Sequence, residues 1–138
     1  MLDDVLARNL TVVFCGTAAG HRSAQQRAYY AGPGNRLWRT LAVIGLTPEQ
    51  LSPADFARLL DYGIGLTDLA KGQAGSDRDL RIDRADVLLL RSRIVMYQPQ
   101  YLCFNGKRAA QVFLGRSPVD YGVQRRSEEH TSELQSQR

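Results

Sequence analysis

The stretch that decides the fold is residues 10–20, LTVVFCGTAAG. Its first half is a continuous apolar run that contains β-branched residues and ends at Gly16. Such a run is typical of a parallel strand that is buried on both faces of a sheet. Small residues follow, with a glycine at each end of the segment 16–20. The sequence therefore predicts a buried strand that ends in a tight loop.

Outward from this stretch, predicted strands alternate with predicted helices. Further strands are expected over 62–69 and 101–104, and helices over 36–44, 53–60, 83–97 and 107–114. Asn35 is expected to N-cap the first helix, because asparagine side chains satisfy free backbone N–H groups at that position. The alternation predicts an α/β domain with a parallel sheet. Ligands bind beyond the carboxyl ends of such strands, so one edge is expected to gather 16–24, 67–68 and 105–107.

The composition indicates a soluble domain with a basic surface. The chain has 138 residues and a formal net charge of +4, which suits a polyanionic partner but also a solvated basic surface. No apolar run is long enough to span a membrane, and the N-terminus lacks a basic leader, so a cytoplasmic location is expected. Cys15 and Cys103 lie in apolar segments and are expected to be buried thiols. Two cysteines and the histidines His21 and His130 favour neither a metal site nor a cofactor.

Three longer motifs carry a family resemblance. They are VVFCG at 12–16 with Gly20 and Ser23, YAGPGNRLW at 30–38, and LLDYGIGLTDL at 59–69. Together they resemble the uracil-DNA glycosylase superfamily, in particular its mismatch-specific (thymine/uracil) branch. Gly106-Lys107 is similar to the family's next turn from strand to helix, so the resemblance covers nearly all of 1–115.

The resemblance implies a three-layer α/β/α fold with a short, mainly parallel four-stranded sheet. It also implies a monomeric DNA repair enzyme of base excision repair that needs no cofactor. Such an enzyme flips a deaminated or mismatched base, here expected to be uracil, out of double-stranded DNA and hydrolyses its N-glycosidic bond. The base-binding pocket implied by the resemblance consists of Gly16, Thr17, Ala18, Ala19, Gly20 and the stacking residue Tyr30. Ser23 matches a hydroxyl that lines the pocket or contacts phosphate, and Lys107 is a further expected phosphate contact. His21 and Arg22 flank Ser23 and could approach DNA phosphates, with simple surface exposure as the alternative for each. The alternative for Tyr30 is a core or surface tyrosine.

The chain departs from the family at the third loop position. Many relatives carry a water-positioning Asn or Asp there, whereas this chain has Ala18, whose methyl group cannot bind water. Asn35 is the first candidate to replace it, with the N-cap role as its alternative. Asp68 is the second candidate, as a general base or a stabiliser of sugar cation charge, with a solvated or capping aspartate as its alternative.

Two other classes of function stay open at this point. A non-catalytic nucleic-acid-binding relative could have lost its chemistry with the substitution at Ala18. A small-molecule α/β hydrolase or a nucleotide-binding protein is disfavoured by the segment 35–38 and by the lack of the usual phosphate-loop spacings.

The C-terminal residues resemble neither the family nor a folded segment. The string RSEEHTSELQS at 126–136 is similar to the reading-frame translation of a common sequencing adapter. It is polar and has no apolar period. We therefore expect a truncated glycosylase-like domain at 1–125 and a non-native, disordered tail at 126–138. The family's second motif, a Pro-Ser loop, has no counterpart before residue 125, so the chain as given is expected to be inactive although its parent is an enzyme.

Overall fold

The fold is built on one sheet with helices on both sides. The computed structural model describes residues 4–17, 36–70, 82–105, 107–115, 122–125 and 133–137. The strands are β1 (Val12–Gly16), β2 (Ile64–Asp68), β3 (Tyr101–Asn105), β4 (Gly122–Arg125) and β5 (Glu133–Gln137). The helices are α1 (Leu37–Val43), a 3-10 helix (Pro53–Tyr62), α2 (Arg84–Tyr97) and α3 (Lys107–Leu114).

The sheet has the strand order β2-β1-β3-β5-β4. β1 lies in the centre of its first three strands and pairs in parallel with both β2 and β3. β5 continues the parallel arrangement beside β3, and β4 is antiparallel to β5. The prediction of an α/β fold with a mainly parallel sheet is confirmed, although the described residues form five strands where four were expected.

The two faces of the sheet carry separate apolar clusters. One face packs β1 and β3 against α2 and α3, through residues that include Val13, Leu90 and Phe113. The other face packs the strands against α1 and the 3-10 helix, through residues that include Trp38 and Leu59. Because side chains alternate along a strand, β1 and β3 contribute to both clusters, and the domain has three layers. Within the described ranges, no helix combines the length and the apolar character needed to cross a membrane.

The two cysteines point to opposite faces of this sheet. Cys15 belongs to the cluster with α2 and α3, and Cys103 belongs to the cluster with α1. Both are free and buried, which confirms the sequence-based prediction. Burial raises the pKa of the Cys103 thiol to about 12, since a thiolate is poorly solvated there.

The N-terminal segment extends the sheet beyond β2. Val5 forms an antiparallel bridge with Leu66, in which each backbone N–H donates to the other's carbonyl at 2.9 Å. This approach requires a glycine at position 65. A Cβ on Gly65 would lie 2.6 Å from the carbonyl oxygen of Val5 and 2.8 Å from a methyl carbon of Leu10.

Two predicted helix features are corrected by the structure. The N-cap of α1 is Arg36, whose side chain makes no capping hydrogen bond, so the prediction that Asn35 occupies the cap is wrong. A one-residue error is common at helix starts, because the cap is defined by backbone angles that the sequence does not specify. The spacing of apolar residues in the helix over 83–97 predicts Leu90, Ile94 and Val95 on its buried side, but Val95 is 64% exposed. Leu90 and Ile94 are buried as expected.

Part of the tail also differs from its prediction. Glu133–Gln137, which was expected to be disordered, forms β5 and pairs with β3 over its whole length. The expectation relied on the absence of an apolar period, whereas pairing at a sheet edge uses backbone N–H and C=O groups that every residue supplies. Whether the tail is native stays a prediction.

Candidate active site

The carboxyl ends of β1 and β2 meet at one edge of the sheet. In the parallel register Cys15 lies beside Thr67, and Gly16 lies beside Asp68. β3 ends at the same edge, where Phe104 lies beside Cys15. The chain therefore leaves the sheet three times at this edge, which is where α/β sheets bind their ligands. The predicted juxtaposition of Gly16 and Asp68 is observed, and their chemical roles stay predictions.

Backbone hydrogen bonds hold the start of the first loop. The N–H of Leu69 donates to the carbonyl of Gly16 at 2.9 Å, and the N–H of Ala70 donates to the carbonyl of Thr17 at 2.7 Å. Thr17 is buried, with 6% exposure. These bonds continue the pairing of β1 with β2 past the ends of both strands. The first two residues of the glycine-bounded loop are therefore fixed relative to Asp68.

Asp68 is a buried acidic residue at this edge. Only 4% of it is exposed, so the alternative of a solvated surface aspartate is wrong. A carboxylate removed from water acts on nearby charge more strongly than an exposed one, because the surrounding dielectric constant is lower. A charge on the buried Asp68 carboxyl group would therefore interact strongly with neighbouring groups.

A buried polar network fixes the end of β2. The hydroxyl of Thr67, which is fully buried, donates to Asp4 Oδ1 at 2.6 Å and accepts from Arg93 Nη1 at 2.5 Å. The same Arg93 nitrogen donates to the backbone carbonyl of Asp68 at 3.1 Å. It also forms an ion pair with Asp4 at 3.4 Å. The network ties β2 both to the N-terminal segment and to α2.

Arg93 and Asp4 were not among the predicted site residues. Arg93 follows Leu90 by three positions, so helical spacing puts it at the border of the buried face of α2. An arginine at such a border is a usable signal for a buried polar contact. Asp4 precedes the first strand in a short acidic segment and has no comparable pattern.

The predicted site residues lie partly inside and partly outside the described ranges. Lys107 begins α3 at the edge where β3 ends, as predicted, and its side chain is outside the description. The remaining predicted site residues lie outside the described ranges: Ala18, Ala19, Gly20, His21, Arg22, Ser23, Tyr30 and Asn35.

A cavity of about 440 Å³ lies at the opposite end of the sheet. Its lining includes Asn9, which precedes β1, and Gln98, which precedes β3. The cavity therefore opens at the amino ends of the strands and is separate from the candidate site. The carboxyl edge is the stronger candidate for the active site, because the buried polar groups converge there.

The candidate site provides hydrogen-bonding groups and one buried carboxylate for its chemistry. Across the described ranges, no three His, Cys, Asp or Glu side chains are grouped closely enough to hold a metal ion. The arrangement at Gly16, Thr17 and Asp68 suits electrostatic stabilisation and proton transfer.

The fold and this edge define an α/β domain with a candidate ligand site at the ends of its central strands. The sequence matches the family model described as the uracil DNA glycosylase superfamily over residues 4–135. The chain belongs to this superfamily. Its function is accordingly of the DNA glycosylase type, in DNA repair, and its family acts on DNA. The matched range includes most of the tail that was expected to be non-native.

Proposed function

We propose that this protein is a monofunctional glycosylase that removes uracil, or another deaminated or mismatched base, from double-stranded DNA. One observation carries the proposal. In a chain of this superfamily, hydrogen bonds fix Gly16 and Thr17 beside the buried Asp68 at the carboxyl edge of the sheet. A flipped base bound here would lie beside the loop and its sugar beside Asp68, so that the two contacts would flank the N-glycosidic bond.

The proposed reaction is the hydrolysis of the N-glycosidic bond. A water oxygen bonds to C1′ of the sugar, the bond from C1′ to the base nitrogen breaks, and its electron pair leaves with the base. Backbone N–H groups of the loop 16–20 would stabilise the departing base anion, since fixed dipoles act strongly where water is excluded. Tyr30 would stack on the extruded base, which contributes roughly 1–3 kcal/mol in comparable sites.

Asp68 and Asn35 would together replace the water-positioning side chain that is absent at Ala18. We propose that the Asp68 carboxylate accepts the proton of the attacking water or stabilises positive charge on the sugar. Asn35 would orient the water through its side-chain amide.

The proposed DNA contacts follow from position and charge. His21, Arg22 and Ser23 follow the base-binding loop, and Lys107 begins α3 at the same edge. Cationic and hydroxyl side chains there would hold phosphates on both sides of the flipped nucleotide. We propose that the protein acts on DNA as a monomer.

The second candidate function is a DNA-binding relative without catalysis. The alanine at position 18 is the specific observation in its favour, because it removes the usual water-positioning group. The two functions differ in their products, since a binder retards DNA in a gel without leaving abasic sites.

A strand-cleavage assay tests the proposal and its residues together. A labelled duplex with one U·G pair is incubated with excess protein and treated with alkali, and a duplex with C·G is the substrate control. We expect alkali-labile sites only with U·G, and a rate lowered about 10²–10⁴-fold in Asn35→Ala and Asp68→Ala. Asp61→Ala is the matched control, because Asp61 is an exposed aspartate away from this edge. Full rates in both site variants would show that the residue assignments are wrong.

We further propose that residues 126–138 are not part of the natural protein and that the 138-residue chain is inactive. The resemblance of 126–136 to adapter-encoded sequence supports this proposal. The assay above should therefore compare the 138-residue chain with the protein carrying its natural continuation after Arg125. Equal rates of uracil excision by both forms would contradict the proposal, as would a genomic sequence that encodes this tail.

A further inference from the structure

We propose that Arg93 is a positioning residue for Asp68, and that through it α2 sets the geometry of the candidate active site. This inference rests on the proposed function, because it assigns a role to Asp68 in catalysis. Arg93 does not need to touch the substrate. Its contacts are with the polypeptide at the end of β2.

The guanidinium group of Arg93 lies at the end of β2. Arg93 Nη1 lies 3.1 Å from the carbonyl oxygen of Asp68 and 2.5 Å from the hydroxyl oxygen of Thr67. Two consecutive residues of β2 therefore accept hydrogen bonds from one nitrogen. A rotation or shift of the Asp68 backbone would lengthen at least one of these bonds.

The network of Asp4, Thr67 and Arg93 is balanced in charge and has hydrogen bonds of fixed direction. Thr67 donates its only hydroxyl hydrogen to Asp4, so its oxygen can only accept from Arg93. The side chains of Arg93 and Asp4 are 17% and 23% exposed, and they form an ion pair at 3.4 Å. The pair neutralises the guanidinium charge, and the direction of each hydrogen bond is fixed by the chemistry of its donor. Such a network resists rearrangement, because a broken contact leaves a buried polar group unsatisfied.

Backbone contacts connect this network to the loop 16–20. Asp68 lies beside Gly16, and the next two residues donate their N–H groups to Gly16 and Thr17. A shift of Arg93 would therefore displace Asp68 and, through these hydrogen bonds, the start of the loop 16–20. Since a misplacement of about 1 Å can cost about a hundredfold in rate, a small shift here is enough to slow catalysis.

The test compares Arg93→Lys with a matched control on the same helix. Lysine keeps the charge but its nitrogen lies closer to the backbone than Nη1, so it cannot reach the same acceptors without a shift. Arg91→Lys is the control, because Arg91 is also partly buried but donates to the carbonyl of Phe113 and stacks on its ring. Both variants lose some packing, and only Arg93→Lys alters the contacts of β2.

The kinetic readout is the single-turnover rate of uracil release, measured in wild type and variants that carry the continuation proposed to follow Arg125, with duplex affinity measured separately. For Arg93→Lys we expect a rate lowered about tenfold, with an unchanged dissociation constant for DNA. For Arg91→Lys we expect a rate like that of the wild type. In an Asp68→Ala background, Arg93→Lys should lower the rate by a smaller factor than in the wild type, because the part of its effect that acts through the Asp68 carboxylate is already lost. Weaker DNA binding with a reduced salt dependence would instead mean that Arg93 contacts phosphate, and it would overturn the inference.

A second readout does not depend on activity. The amide hydrogens of Leu69 and Ala70, which donate to the loop, should exchange faster with solvent in Arg93→Lys than in Arg91→Lys. If Arg93→Lys does not fold, Asp4→Asn serves instead, since it weakens the hold on Arg93 and should raise the same exchange rates. Unchanged exchange would overturn the inference. Unchanged exchange is distinct from failure of the proposed function, which would appear as a wild-type protein that releases no uracil.

Discussion

Single residues already fix how closely the N-terminal segment can approach the sheet. A side chain on Gly65 would meet the Val5 carbonyl at 2.6 Å and Leu10 at 2.8 Å. We predict that Gly65→Ala lowers the free energy of unfolding by about 1–3 kcal/mol, because the segment must move away from β2. Denaturant unfolding measures the change, and a loss below about 0.5 kcal/mol would contradict the close approach.

The buried thiol of Cys103 gives a prediction for the pH dependence of stability. Its pKa is raised to about 12 in the folded protein from an ordinary value of 9.0, because burial disfavours the thiolate. The unfolded chain therefore releases this proton first as pH rises. The stability that the neutral thiol contributes is complete below pH 9.0 and is lost as the pH rises toward 12.

Urea unfolding of the wild type and Cys103→Ala at several pH values measures this effect. Below pH 9.0 the stability difference between the two proteins should be constant, and above it the wild type should lose its advantage. A difference that stays constant up to pH 11 would contradict the assigned cause, as would rapid alkylation of Cys103 in the folded protein.

At the scale of elements, α2 begins with a reciprocal pair of capping bonds. The Asp83 carboxylate accepts from the N–H of Asp86 at 3.0 Å, and the Asp86 carboxylate accepts from the N–H of Asp83 at 3.1 Å. We predict that Asp83→Ala destabilises the protein by about 1 kcal/mol in thermal or denaturant unfolding. Ser92→Ala, at an exposed position in the same helix, should cost less than about 0.5 kcal/mol. A larger loss in Ser92→Ala would show that the cap does not limit the stability of α2.

The sequence predicts those elements whose patterns are local. The apolar run at 10–15 predicts β1, Pro99 predicts the end of α2, and the helix over 107–114 has the bounds that were expected. The parallel sheet follows from the alternation of strands and helices. The edge that unites Gly16 and Asp68 follows in turn, because parallel strands end on the same side.

Features that depend on distant contacts do not follow from the sequence. The network of Asp4, Thr67 and Arg93 joins three segments that are far apart in the sequence. No residue pattern in one segment indicates its contact with the other two. The pairing of β5 depends on the free edge of β3 and on no side-chain pattern. The exposure of Val95 is decided by which neighbour on α2 reaches the core.

At the scale of the whole molecule, the basic charge should appear in the salt dependence of DNA binding. We predict that Arg22→Ala and Lys107→Ala each weaken the binding of undamaged duplex and lower its logarithmic salt slope by about 1. Arg39→Ala is the control, because Arg39 is an exposed arginine on α1 that is not assigned to the DNA contact. Fluorescence anisotropy at several salt concentrations measures all three. Equal effects in the three variants would indicate nonspecific attraction by the whole basic surface.

The most direct test of the central claim is the identity of the released product. The protein with the continuation proposed to follow Arg125 is mixed in excess with a duplex that contains one U·G pair, and the small molecules are analysed by mass spectrometry. We expect one free uracil for each duplex and an abasic site left in the strand. DNA that is bound but yields no free base would contradict a glycosylase built on Gly16, Thr17 and Asp68.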